Sequence, residues 1–243
     1  MISALVGLLA AAIVGLPLGT DVDYQLGGAA DPAANVGIVV RDRSEAPAEG
    51  RYNICYVNGF QTQSSEKAFW RKHPALVLRD ADGRPVVDEA WGEQLLDART
   101  ATKRKALTRI VDRWVRGCAR AGYAAVELDN LDSFTRSDGL LTRRQALKYA
   151  ALLVRSAHQH GLAVGQKNLA GYDGTRIGFD FAVSEECGRY DECGRYTEFF
   201  GDQVLMIEYR TPDFEKTCAA YGATHAVVLR DRDLTPEGVH AWC

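Results

Sequence analysis

The chain has 243 residues, 47% hydrophobic and 25% charged, which suits one globular domain with a sizeable core and is too apolar for a disordered or fibrous chain. A formal net charge of -3 supplies no footprint for nucleic acid, which needs a clustered basic face. Six cysteines, an even number, fit an oxidising compartment.

Leu5 to Leu16 form an apolar run too short to cross a bilayer and placed where the core of a signal peptide belongs, although no Lys or Arg precedes it. Residues 1–20 are therefore expected to be an export leader, leaving 21–243 as a single secreted domain without a membrane span. Structural disulfides are expected at Cys187–Cys193, Cys218–Cys243 and Cys55–Cys118, one of fifteen possible pairings. Metal binding is the rival use of these cysteines, but CxxC and HxxxH spacings are missing.

After the leader, Asp23 to Leu26 is extended in character, and Gly27-Gly28 turns the chain. Val36 to Val40 reads as a strand ending in Arg41-Asp42-Arg43, and Tyr52 to Val57 as another ending in Asn58-Gly59-Phe60-Gln61. The irregular segment from Thr62 to Glu93 is long enough to be functional; its Trp70 and Trp91 either stack on sugar rings or pack the loop onto the body. Leu95 to Arg99 looks like a short strand. Thr102 to Arg120 has Leu107, Ile110, Val111, Trp114, Val115 and Cys118 at helical spacing, and Gly122 stops it.

Ala124 to Asp132 then opens as a buried strand and ends in carboxylate and amide groups. Thr142 to His160 is a second amphipathic helix, closed by Gly161. Strands follow at Leu162 to Asn168, Phe179 to Glu186, Val204 to Tyr209 and Ala226 to Leu229, with a helix from Phe214 to Tyr221. Strands alternating with helical crossovers imply parallel pairing. Eight strands, beginning near Val36, Asn53, Gln94, Ala124, Leu162, Phe179, Val204 and Ala226, predict an α/β fold, a (β/α)₈ TIM barrel, with the Tyr24 segment as an extra N-terminal strand. A doubly wound sheet lacks support, since no strand is followed by GxGxxG or a P-loop.

Barrel active sites lie at the C-terminal strand ends. Those ends carry Asp42, Asn58, Asp97, Asp129 with Asn130 and Asp132, Gln166 with Asn168, Glu185 with Glu186, Glu208 and Asp231. Taken singly, such carboxylates most often cap helices or pair with Lys167 or Arg210. Taken together, two facing carboxylates are what glycoside hydrolysis needs, one to attack or activate water and one to protonate the departing oxygen. A trio of Asp129, Glu185 and Glu208 is the alternative, as a hard-cation site. Strand parity turns Glu127 and Asp129 inward, with Glu127 a buried partner one layer below. If Phe181 and Val183 face the helices as Val126 and Leu128 do, Glu186 and not Glu185 is the inward residue.

The segments Tyr24-Gln25-Leu26, Cys55-Tyr56-Val57-Asn58, Val126 to Asp132, Gly165-Gln166-Lys167-Asn168, Ser184-Glu185-Glu186-Cys187 and Ile207-Glu208-Tyr209, in this order, resemble glycoside hydrolase family 114, the endo-α-1,4-polygalactosaminidases. The resemblance implies a TIM-barrel enzyme without a cofactor that cuts α-1,4-linked galactosamine polymers, with Asp129 and Glu185 as the catalytic pair. By analogy with barrel glycosidases, Asp129 would be the nucleophile and Glu185 the acid/base of a retaining reaction, with exchanged roles or inversion as the alternatives. Tyr24, Asp42, Asn58, Asp97, Asn130, Asp132, Asn168, Glu186, Glu208 and Asp231 are the expected substrate-binding residues. An acidic mouth would attract a cationic amino-sugar polysaccharide to a monomeric enzyme. The rivals are a non-catalytic carbohydrate-binding barrel and a metal-dependent polysaccharide deacetylase or esterase.

Overall fold

In the computed structural model, residues 13–243 are described; the first twelve residues of the expected leader lie outside them. Residues 13–20 of that stretch carry no helix or strand. Leu16 is buried against the barrel interior, and its backbone N–H donates to Gln203 Oε1 at 2.6 Å.

Three strands come first, β1 (Asp21–Gln25), β2 (Val36–Asp42) and β3 (Tyr52–Asn58). An insert follows, holding a short helix α1 (Lys67–Trp70) and a hairpin of β4 (Val87–Asp88) and β5 (Glu93–Gln94). Helix α2 (Ala101–Ala121) leads to β6 (Ala125–Asp129), and α3 (Arg143–Gln159) to β7 (Ala163–Lys167). Then come β8 (Phe181–Glu185), α4 (Cys193–Phe200), β9 (Val204–Glu208), α5 (Thr211–Tyr221), β10 (Ala226–Arg230) and β11 (His240–Trp242).

The main sheet runs β1-β2-β3-β6-β7-β8-β9-β10-β11, parallel throughout except for antiparallel β11. The expected TIM-barrel architecture is therefore present, with the staves allotted differently. β3 pairs directly with β6, Asn58 opposite Asp129, which leaves no place between them for a strand at Gln94. Leu95 and Leu96 are buried, but they bridge to Gln61 and Val77 and seal the insert. The Tyr24 segment takes the vacated count as a true stave, paired with β2. Among the described residues the α-helices number five, two in the β3–β6 connection and one each in the β6–β7, β8–β9 and β9–β10 connections.

The helices begin and end where the sequence chemistry dictates. The Thr100 side chain accepts from the Lys103 N–H at the start of α2, Thr142 and Gln145 form a capping box on α3, and Gly122 closes α2 at φ 96°. Cys55–Cys118 ties α2 to β3, Cys187–Cys193 closes the loop after β8, and Cys218–Cys243 fastens the C-terminus to α5. All three pairings match expectation.

Two apolar layers share each strand. Cys55, Val57, Val126, Leu128, Val164, Ala182 and Met206 face the helices. Tyr24, Ile38, Ile54, Tyr56, Ala125, Phe181, Val183, Leu205, Ile207 and Val228 fill the interior. Phe181 enters because Gly165 makes room; a Cβ there would lie 2.4 Å from its ring. With Phe181 and Val183 inside, period-two alternation turns Glu185 inward as well, which removes the parity conflict.

One seam lacks a strand ladder, between β1 and β10, and polar side chains close it. The fully buried Arg230 guanidinium donates to Asp23 Oδ1 at 3.1 Å and to the Tyr24 carbonyl. His240 Nδ1 lies 3.1 Å from the same Asp23 oxygen, and the Trp242 indole donates to the Val22 carbonyl at 2.8 Å. Removing one partner of a buried pair strands the other charge. Arg230→Met is expected to lower unfolding free energy by about 3–5 kcal/mol, measured by urea denaturation; a loss within error would show that the seam holds without it.

Candidate active site

The inward residues at the C-terminal ends of β3, β6, β7 and β8, with Tyr209 just beyond β9, converge on one group, the Lys167 ammonium. It lies 3.4 Å from Asp129 Oδ1, 3.1 Å from Glu185 Oε2 and 3.0 Å from Glu127 Oε1, and it donates to the Tyr24 hydroxyl at 2.7 Å. Burial opposes a charge here, but Asp129, Glu127 and Glu185 outweigh it and hold the ammonium pKa well above its ordinary value. Lys167 therefore stays charged.

The two upper carboxylates are each held by a tyrosine. Tyr56 donates to Asp129 Oδ2 at 2.7 Å, and Tyr209 donates to Glu185 Oε1. Burial, reinforced by Asp129 and Glu185 respectively, pushes both phenols well above their usual range, so they remain donors. Asn130 Nδ2 also reaches Asp129 Oδ2 at 3.3 Å, while Asn168 Nδ2 reaches Glu185 Oε2 at 3.3 Å. Below them Glu127, 0% exposed, accepts from Tyr24 at 2.6 Å and buries its other oxygen without a partner. That burial pushes its carboxyl up to about 7.

The backbone turns sharply after each strand. Asn130, Asn168 and Glu186 follow Asp129, Lys167 and Glu185, and all three adopt left-handed φ angles of 65°, 52° and 57°. Asparagine tolerates that region; a glutamate there is strained, as is common at functional sites. The turn aims Asp129, Lys167 and Glu185 into the mouth and throws the next side chain to the rim. Glu186 consequently pairs with Arg189 at 2.6 Å and Arg232 at 3.1 Å.

Two cavities of about 490 and 460 Å³ open above the pair and share Trp91, Asp132, Arg136, Asn168, Glu185, Tyr209 and Arg232. They are two halves of one groove. Asp129, Asn130, Asp42, Tyr56 and Glu93 line one half; Glu186 lines the other. Asn58 is buried behind, donating to Glu93 Oε2 at 2.8 Å and accepting from Asn130 at 3.2 Å. Tyr24 lies in the floor, fully buried.

Three expected binding residues are elsewhere. Asp97 is 0% exposed and clasped by Arg99 and Lys103 at the start of α2, because its segment is not a stave. Glu208 alternates with the inward Ile207, so it points out of the barrel and accepts from the Gly188 N–H at 2.7 Å and from Thr217. The cation-binding trio therefore does not assemble. Cys187 and Cys193 stand near Glu208, but their sulfurs are joined to each other. Asp231 accepts from the backbone and hydroxyl of Thr235, shaping the loop after β10.

Sequence reasoning passed over Glu93, Arg136 and Arg232, gave Lys167 only the part of an ion-pair partner, and gave no role to Tyr56 or Tyr209. Parity along each strand would have flagged the last three as inward. Glu93 comes from the irregular insert, where no periodicity marks it. Of the two tryptophans in that insert, Trp70 is buried against Phe69 and Trp114, whereas Trp91 is 59% exposed over the groove.

The profile of glycoside-hydrolase family GH114 matches residues 9–243. The chain belongs to this family. It is a glycoside hydrolase. Its fold is similar to that of Aspergillus fumigatus Ega3, solved in complex with galactosamine, with a TM-score of 0.76 and 21% identity over 97% of this chain and 100% of that one. The glycoside hydrolase domain of PelA from Pseudomonas aeruginosa is also similar, with a TM-score of 0.62 and 17% identity over 92% and 98% of the two chains. No curated protein matches.

Glu93 carries a pH signature. Burial pushes its carboxyl from 4.5 up to about 7, against the Asn58 hydrogen bond and with help from Asp129. A folded pKa above the unfolded one favours the folded state fully below about pH 4.5, and that contribution is lost as pH rises to about 7. Wild-type stability is expected to decline over that window, and Glu93→Gln to decline less, as read from urea midpoints across pH 4–8. Parallel curves would show that Glu93 ionises in the folded and unfolded chains alike.

Proposed function

We propose that this glycoside hydrolase is an exported, endo-acting enzyme that cleaves α-1,4-linked galactosamine polymers with retention, using Asp129 as nucleophile and Glu185 as acid/base. The observation that carries the reading is the shared ammonium. One Lys167 charge touches both carboxylates, so their nearest oxygens stand no further apart than two contacts of 3.4 and 3.1 Å laid end to end. That bound on the nearest oxygens accommodates the retaining separation of about 5–5.5 Å between carboxyl groups.

The groove supports the division of roles. An acid that protonates a glycosidic oxygen belongs at the border between two sugar sites, and Glu185 lines both cavities; a nucleophile belongs under one sugar, and Asp129 lines one. Glu185 is also the more exposed, 25% against 16%, so solvent reaches it more freely. In the first step Asp129 attacks the anomeric carbon while Glu185 gives its proton to the departing oxygen. In the second, Glu185 takes a proton from water, which releases the sugar from Asp129. Tyr56 keeps Asp129 oriented, and Lys167 offsets the negative charge of the pair.

A groove continuous on both sides of the pair accommodates internal stretches of a polymer. Asp42, Asp132 and Glu186 give it an acidic lining that favours ammonium-bearing sugars. Three disulfides are in keeping with export.

Asp129→Asn and Glu185→Gln are expected to lower kcat on a deacetylated galactosamine polymer by about 10²–10⁴-fold with polymer binding retained, followed by mass analysis of the fragments. A barrel that only binds would show no wild-type turnover to lose. Trp91→Ala should raise KM for the polymer about two- to tenfold with little change in kcat, the signature of a lost sugar-stacking face; unchanged KM would remove Trp91 from the binding surface.

A further inference from the structure

The β4–β5 hairpin delivers Glu93 to the half of the groove that holds Asp129, and the surroundings give this carboxylate an unusual position. Its Oε2 accepts from Asn58 at 2.8 Å, and among the described residues no donor reaches Oε1 and no cation pairs with it. The three cations that line the groove are already engaged. Lys167 serves Asp129, Glu185 and Glu127; Arg136 serves Asp88 at 2.7 Å and Asp132 at 2.9 Å; Arg232 serves Glu186. Glu93 is thus a half-buried carboxyl beside the proposed nucleophile with one free oxygen.

Two amide side chains link it to that nucleophile. Asn58 donates to Glu93 and accepts from Asn130 at 3.2 Å, and Asn130 donates to Asp129 at 3.3 Å. In a 2-amino sugar the nitrogen is carried on C2, one bond from the anomeric C1 that the nucleophile attacks. A sugar seated with C1 over Asp129 must therefore present its C2 substituent within the immediate surroundings of Asp129. On one side lies the Lys167 ammonium, which repels a second cation. On the other lie Asn130 and Glu93. Electrostatics direct an ammonium to Glu93.

We propose that Glu93 receives the 2-ammonium group of the galactosamine residue bound over Asp129, and so selects free-amine residues against N-acetylated ones at the point of cleavage. The inference rests on the galactosamine reading above and adds to it the residue, the sugar position and the discriminating charge. Burial raises the carboxyl to about 7, so a cation at this point stabilises the ionised form that burial opposes. An acetamido group brings no charge, adds bulk, and leaves the carboxylate uncompensated.

The test uses defined galactosamine oligomers of one length, the free-amine form as substrate and the fully N-acetylated form as competitor, so that the latter is measured whether or not it is cut. Glu93→Gln keeps the shape and the acceptor for Asn58 but removes the charge. It is expected to raise KM for the free-amine oligomer about tenfold to hundredfold, in line with the loss of a charge-assisted hydrogen bond, while the Ki of the N-acetylated competitor moves far less. Glu93→Asp retains the charge and should recover part of the preference; thermal denaturation of both variants confirms folding, and either folded variant suffices. Equal changes in KM and Ki, or none, would overturn the assignment while leaving galactosamine cleavage intact. A wild type that cuts no galactosamine oligomer would bring down both readings together.

Discussion

A single buried charge organises the mouth of this barrel. Lys167 sits on the axis, 2% exposed, with Glu127 and Tyr24 beneath it and Asp129 and Glu185 above. An ammonium in that position is tolerable only because several acceptors surround it, and the carboxylates are tolerable only because it is there. The same contacts that balance the charges also set the spacing of the two groups that face the groove. Strands β1, β6, β7 and β8 are thereby tied to one another through the interior as well as through their ladders.

The groove above this centre is built from unlike parts. The rigid strand ends supply the pair and its tyrosines, and left-handed turns at Asn130, Asn168 and Glu186 separate what points in from what lies on the rim. The insert between β3 and α2 supplies Glu93 and Trp91, one polar and one flat, from a hairpin of a few residues. The Cys187–Cys193 link steadies the loop that follows Glu186. Asp129, Lys167 and Glu185 thus stand on staves, and Glu93 and Trp91 come from a connection, as expected when loops vary on a fixed scaffold.

The helices were legible because their signals are local. Thr100, Thr142, Gly122 and Gly161 mark boundaries through hydrogen bonds and φ angles within a turn, and the apolar stripes of α2 and α3 need no partner to be seen. The strand runs were legible for the same reason. Their allotment was not: Leu95-Leu96 and Val22 to Gln25 are both short stretches of extended character, and only the direct pairing of β3 with β6 decides which is a stave. Asp97, Glu208 and Asp231 were expected at the mouth because they end apolar runs, yet one lies on no stave, one alternates outward and one folds back on Thr235.

What the sequence by itself determined is the alternation of strands and helices, the even number of cysteines and the set of strand-end carboxylates, since each depends on residue type and short-range spacing. Only the tertiary structure decided that Phe181 and Val183 face the axis, and hence that Glu185 and not Glu186 meets Asp129, because interior and exterior layers of a parallel barrel are equally apolar. Tertiary structure alone also brought Glu93 from the insert to Asn58 and set Lys167 between the two carboxylates. Those contacts span 35, 38 and 18 residues of chain, for Asn58 with Glu93, Asp129 with Lys167 and Lys167 with Glu185, and no local propensity encodes them.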